Sequence, residues 1–313
     1  MDKLFRTKNK LWQAIQSNLL FIGIVELLIY NVGLAIKYRV QASVDPFTPI
    51  VGDDFGIYYN ANFWIIIPIL LTLLFMYVTC PGALRIFTDG TLGRKLKSLG
   101  KGLLLGFLFL GLETAIVAAT GTATFTFNRF SFWLIPVIIP LFIQCSAEEI
   151  LLRGYVLSVV GEKHKWDTVC FVSGTLFIFH HIVNMEYYGF NTMFCLNVFL
   201  LGVAFCLFVW DEGNFWIVCG IHTAWNYVQS YLFSTSNSGD PYSIGLFLGK
   251  LNGGNMFYEA TYGYEGAVTT TVLMVVLISI LIYRLHKKGQ LKDTMSIFPA
   301  DETAGEAKHF SHC

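Results

Sequence analysis

Cys145-Ser146-Ala147-Glu148-Glu149-Ile150-Leu151-Leu152-Arg153-Gly154 puts two adjacent carboxylates and a guanidinium inside an apolar run that begins near Phe132. Facing lipid, such a set is costly, so these side chains are expected to turn inward, find partners and carry function. Helical geometry separates their roles. Glu149 and Arg153 stand four apart, share a face and can pair within the helix. Glu148 lies about 100° round the helix, with no intrahelical partner expected. A buried carboxylate without a cation of its own is a candidate general base.

The composition outside that stretch agrees with a membrane setting. Of 313 residues, 55% are hydrophobic and 13% charged, too little polar surface to coat a soluble globule of this size. The formal net charge of zero, with no arginine-rich tract, sets aside nucleic-acid binding. Five of the seven cysteines, Cys145, Cys170, Cys195, Cys206 and Cys219, fall within apolar runs and read as small hydrophobes. No Cys-x-x-Cys spacing suggests a disulfide framework or a zinc ribbon.

Runs long enough to cross about 30 Å of hydrocarbon predict an all-α, polytopic bundle of about eight transmembrane helices. They fall near 19–36, 63–79, 102–120, 132–160, 168–184, 190–210, 214–233 and 267–285. Lys3, Arg6, Lys8 and Lys10 precede the first run, which is read as a retained anchor rather than a cleaved signal. Basic residues also cluster at 85–101, at Lys163 and Lys165, and at 284–292, which predicts that both termini are cytoplasmic. The expected organisation is a cytoplasmic segment 1–18, transmembrane spans in 19–130, a core at 131–233 that carries the Glu148-Glu149 stretch and an external loop at 234–266. A last span with its basic flank at 267–292 and a disordered cytoplasmic tail at 293–313 complete it. The loop is rich in Tyr, Phe and Gly, which suits a segment that dips into the interface or shields the mouth of the bundle.

Two further spans hold polar residues at helical spacing. In Ser173-Gly174-Thr175-Leu176-Phe177-Ile178-Phe179-His180-His181, Phe177 and His181 share a face, and His180 is turned about 100° from it. One imidazole is expected to be functional and the other structural. In Gly220-Ile221-His222-Thr223-Ala224-Trp225-Asn226, His222 and Asn226 are again four apart and can enter one cavity. Each alone reads as interhelical glue. Together, a base, imidazoles and an amide on three spans read as a water-activating site with an oxyanion stabiliser.

Glu148-Glu149-x-x-x-Arg153, Phe177-x-x-x-His181 and His222-x-x-x-Asn226, in this order, resemble the three signatures of the CPBP intramembrane proteases. That family, also called Abi, includes the type II CAAX prenyl endopeptidases and bacterial relatives linked to bacteriocin processing and self-immunity. The resemblance covers about residues 130–230. It implies an endopeptidase that cleaves a membrane-associated protein or peptide, possible lipidation of that substrate included, in a bacterial plasma membrane. Carried over, Glu148 is the base, His181 helps to hold the attacking water, and His222 and Asn226 stabilise the oxyanion. Glu149, Arg153, Phe177 and His180 take supporting places. No cofactor is expected from a metal-free glutamate mechanism, the favoured reading. Glu148, His181 and His222 could also supply the three ligands of an open zinc site, although no His-Glu-x-x-His helix exists. The alternative to an enzyme is a catalytically idle self-immunity or scaffold protein of the same fold. A transporter is disfavoured by the lack of repeat symmetry.

Three other features stay apart from the motifs. Asp211 and Glu212 precede the seventh run, either as part of the site or as helix caps. Glu26 and Glu113 stand alone in their runs and read as interhelical bonding partners. Gly102-x-x-x-Gly106 reads as a close-packing face.

Overall fold

The computed structural model describes residues 18–161, 164–253 and 256–291. The N-terminal residues before Asn18, Lys163, Lys292 and the expected tail 293–313 lie outside the described residues, as does the side chain of Glu26. In hydrocarbon every backbone polar group needs an internal partner, and the apolar runs accordingly become helices. These are α1 (Leu19–Ser43), α2 (Asp53–Phe63), α3 (Ile66–Thr79), α4 (Leu92–Ala119) and α5 (Ile138–Glu149). Next come α6 (Val156–Val160), α7 (Trp166–His180), α8 (Ile182–Tyr188), α9 (Thr192–Glu212), α10 (Trp216–Tyr227) and α11 (Val268–Lys287). π-helical turns at Ile150–Tyr155 and Val228–Leu232 extend α5 into α6 and lengthen α10.

The chain is a multi-pass membrane protein. Five stretches are long and apolar enough to cross: Asp53–Thr79, Leu92–Ala119, Phe132–Val160, Thr192–Glu212 and Val268–Lys287. A sixth is obtained if α7 and α8, bent by 40° against each other, form one broken span. The expected count of eight is therefore not reached among the described residues. The run at 168–184 breaks at His181, and the run at 214–233 folds as a 12-residue α-helix followed by a π turn. These two polar-bearing segments are the ones that build the site.

Helix ends follow local chemistry. Asn191 caps α9, its Oδ1 accepting from Phe194 N at 3.0 Å, and Gly213, at φ 60°, ends it in the left-handed region where a Cβ is penalised. Asp211 at that end pairs with Arg284 Nη2 at 2.9 Å and Lys288 Nζ at 2.7 Å, both from the last turn of α11 and its flank. Glu212 pairs with Lys101. Both acids thus tie helices together rather than entering the site. Glu113 likewise accepts from Thr270 Oγ1 at 2.6 Å, an interhelical bond between α4 and α11.

The most extensive helix contact joins α4 to α10. Lipid tails are as apolar as leucine, so packing in a membrane depends on small residues that let backbones approach. Gly102 and Gly106 face Ile217 and Ile221 of α10, and Gly220 faces Leu99 and Leu103 of α4. The Gly102-x-x-x-Gly106 face is thus occupied within the chain. A Cβ at Gly220 would lie 2.3 Å from Leu99 O, which is backbone and has little room to yield. Gly220→Ala is expected to destabilise the bundle by about 1–3 kcal/mol through overpacking. Thermal unfolding in detergent, compared with Gly111→Ala, where a Cβ meets nothing within 4 Å, checks it.

The 234–266 segment is more ordered than a bare connector. It supplies β2 (Phe247–Leu251), which pairs antiparallel with β1 (Ala123–Phe127), Phe125 facing Gly249 in register. Glu265 anchors its end: Trp225 Nε1, Gln229 Nε2, Ser238 N and Ser238 Oγ all donate to this carboxylate. Burial pushes the Glu265 carboxyl above its usual range, and those donors oppose the shift.

Candidate active site

The α5 helix delivers Glu148 and Glu149 on its last turn, and the π turn that follows carries Arg153. π turns are rare and cluster at functional sites. The two acids have different surroundings. Glu149 is fully buried, receives Arg153 Nη1 at 3.2 Å and receives His222 Nδ1 at 2.8 Å on the same oxygen. The Arg153 guanidinium lies over the Phe177 ring at 4.2 Å and the Phe205 ring at 5.1 Å. This is a desolvated ion pair with aromatic rings near the guanidinium, and Glu149 Oε2, Arg153 Nε and Arg153 Nη2 have no hydrogen-bond partner among the described residues.

Glu148 opens instead onto a cavity of about 570 Å³, whose walls also include Phe177, His180, His181, His222 and Asn226. The expectation that it lacks an intrahelical partner is corrected: Gln144, one turn earlier, donates Nε2–H to Glu148 Oε1. His180 Nε2 lies 3.6 Å from Oε1, and His222 Nε2 lies 3.9 Å from Oε2. Glu148 Oε2 has no hydrogen-bond partner among the described residues.

Both imidazoles of the histidine pair line the cavity, although a continuous helix would separate them by about 100°. The reason is the helix end. α7 stops at His180, and His181 adopts φ −92°, ψ 9° at the bend into α8. There His181 Nδ1 donates to Phe177 O at 2.9 Å, which leaves Nε2 as the acceptor. His180 is the nearer of the two to Glu148, and its ring packs on Tyr30 of α1 with centroids 4.1 Å apart.

Asn226 sits one turn after His222 on α10, its Nδ2 at 3.4 Å from both Gln144 Oε1 and Cys145 Sγ. Gln144 therefore bridges Asn226 and Glu148. Glu148, His222 and Asn226 are each more than nine-tenths buried. The sequence reading missed Gln144, Tyr30 and the cavity-lining Glu265. Gln144 had a usable signal, its position four residues before Glu148. Tyr30 and Glu265 had none, since they reach the site from distant segments.

The zinc reading required Glu148, His181 and His222 to be grouped as ligands. Among the described residues no three His, Cys, Asp or Glu side chains are grouped so as to hold a metal ion. His222 Nδ1 is held by Glu149 and His181 Nδ1 by a backbone carbonyl, which leaves Nε2 of each ring as the nitrogen available to the cavity.

No curated protein and no solved structure matches the chain. Residues 130–228, the segment that contains every motif side chain named above, match the family model described as type II CAAX prenyl endopeptidase Rce1-like. Over that segment, which contains both the Glu148 helix and the Asn226 helix, the chain is similar to the type II CAAX prenyl endopeptidases.

Proposed function

We propose that this protein is an intramembrane endopeptidase of the CAAX type, which uses Glu148 to activate water against a peptide bond of a membrane-associated, lipidated protein or peptide. The observation that carries the reading is the gap between Glu148 Oε2 and His222 Nε2. It measures 3.9 Å, and a water about 2.8 Å from each atom bridges it. Glu148 takes a proton from that water as its oxygen attacks the carbonyl carbon, while His181 Nε2 accepts a hydrogen bond from it. As the C–N bond breaks, Glu148 returns the proton to the leaving amine.

The oxyanion falls to donors on α10. Asn226 offers Nδ2–H in exchange for one of its long contacts to Gln144 Oε1 and Cys145 Sγ, and His222 offers Nε2–H when its ring carries both protons. Charge balance supports the imidazolium. Around the His222 ring two carboxylates, Glu149 at 2.8 Å and Glu148 at 3.9 Å, face one guanidinium, Arg153, and this local excess of negative charge favours a protonated His222. Glu149 then holds the ring by Nδ1–H and aims Nε2 at the cavity, as the orienting acid does in other imidazole sites. Both termini on the cytoplasmic side of a bacterial plasma membrane belong to the same reading.

Cleavage of a lipidated peptide by the purified protein in detergent, with the cut bond mapped by mass spectrometry, tests it. His222→Ala is expected to lower the rate by about 100- to 1,000-fold with the fold retained. Absence of cleavage by the wild type favours an idle protein of this fold, whereas cleavage unchanged in His222→Ala removes His222 from the oxyanion site.

A further inference from the structure

Among the described residues lining the cavity, Lys37 is the one lysine or arginine. It lies on α1, outside the segment that carries the family's motifs, and is 6% exposed. Lysines on lipid-facing helix surfaces normally extend their amine to the headgroups. This one is turned into the cavity, on the helix face that also presents Tyr30 and Leu34 to it. Its Nζ stands 4.5 Å from the centroid of the Tyr38 ring, and no carboxylate of the described residues pairs with it. The acids that share the cavity are engaged elsewhere. Asp240 accepts from Tyr188, Glu265 accepts from α10 and Ser238, and Glu148 accepts from Gln144.

A buried ammonium without a counter-ion is costly unless an anion arrives to meet it. In a cavity built to hold a peptide, the anion every peptide brings is a carboxylate. We propose that Lys37 is a carboxylate-binding subsite, taking the C-terminal carboxylate of the substrate and so setting which bond reaches Glu148. The inference rests on the peptidase reading. Distance supports it. Tyr30 packs on His180 beside Glu148, and Lys37 follows seven residues later, about 10 Å along α1. An extended peptide advances about 3.3 Å per residue, so a chain end held at Lys37 puts a bond roughly three residues inward near the carboxylate.

The test is binding rather than turnover, in full-length protein carrying Glu148→Gln, reconstituted in detergent. The probes are a fluorescein-labelled S-farnesyl peptide with a free C-terminal carboxylate and the same peptide as its C-terminal amide. The carboxylate form is expected to bind about tenfold more tightly or better, a difference typical of hydrogen bonds to charged groups. In the Lys37→Met, Glu148→Gln protein that preference is expected to disappear, because the carboxylate form weakens to the level of the amide. Lys37→Arg is expected to restore part of it. Equal binding of both forms by the Lys37-containing protein overturns the proposal, as does a preference that survives Lys37→Met. Equal weakening of both forms in Lys37→Met also overturns it and points to a bound lipid headgroup or a packing role. A carboxylate preference that depends on Lys37, in a protein that cleaves neither peptide with Glu148 intact, removes the peptidase reading and leaves the subsite standing.

Discussion

Glu148→Gln is expected to reduce peptide hydrolysis by about 100- to 10,000-fold while the protein inserts, folds and binds substrate as before. The amide is nearly isosteric and can still receive Gln144 Nε2–H on its oxygen, so the α5 geometry has no reason to change. What it cannot do is take the proton of the attacking water. The oxygen lost as a base is Oε2, which faces His222 across 3.9 Å and has no hydrogen-bond partner among the described residues. Single-turnover cleavage measured beside thermal unfolding separates the two effects. Near-normal cleavage by a well-folded Glu148→Gln protein would refute the assignment of Glu148 as base.

The second large effect is on stability. Arg153→Met is expected to cost about 3–5 kcal/mol, because it takes the guanidinium from a fully buried Glu149 and leaves the two buried carboxylates with the His222 ring as their remaining cation. Methionine replaces much of the apolar stem but not the cation over the Phe177 and Phe205 rings. Adding Glu149→Gln should return a large part of the loss, since a neutral amide no longer needs the guanidinium. Chemical unfolding of the two variants in detergent checks both statements. The double variant should nonetheless cleave slowly, because a glutamine oxygen accepts His222 Nδ1–H without favouring the imidazolium. Recovery of stability without recovery of rate separates structural support from positioning.

Much of the site was legible because helices repeat locally. Spacings of four placed Glu149 with Arg153 and His222 with Asn226 on shared faces, and the structure keeps each pair together. The membrane character follows from composition alone, because 55% hydrophobic residues cannot be hidden in a soluble core of this chain length. The span count was less legible. Hydropathy averages along the sequence and does not register the break at His181 or the π turn after Tyr227.

By itself, then, the sequence determined a helical membrane protein with three polar motifs and the relative azimuth of residues within each helix. Only the tertiary structure decided which imidazole approaches Glu148, that Glu149 orients His222, that Gln144 joins Asn226 to the base, and that Lys37 enters the same cavity. Periodicity fixes angles within one helix, whereas the rotation of one helix against another is set by packing between distant segments. In this bundle that packing includes the close approach of Gly102 and Gly220, which seats α10 on α4 and brings His222 to the two glutamates.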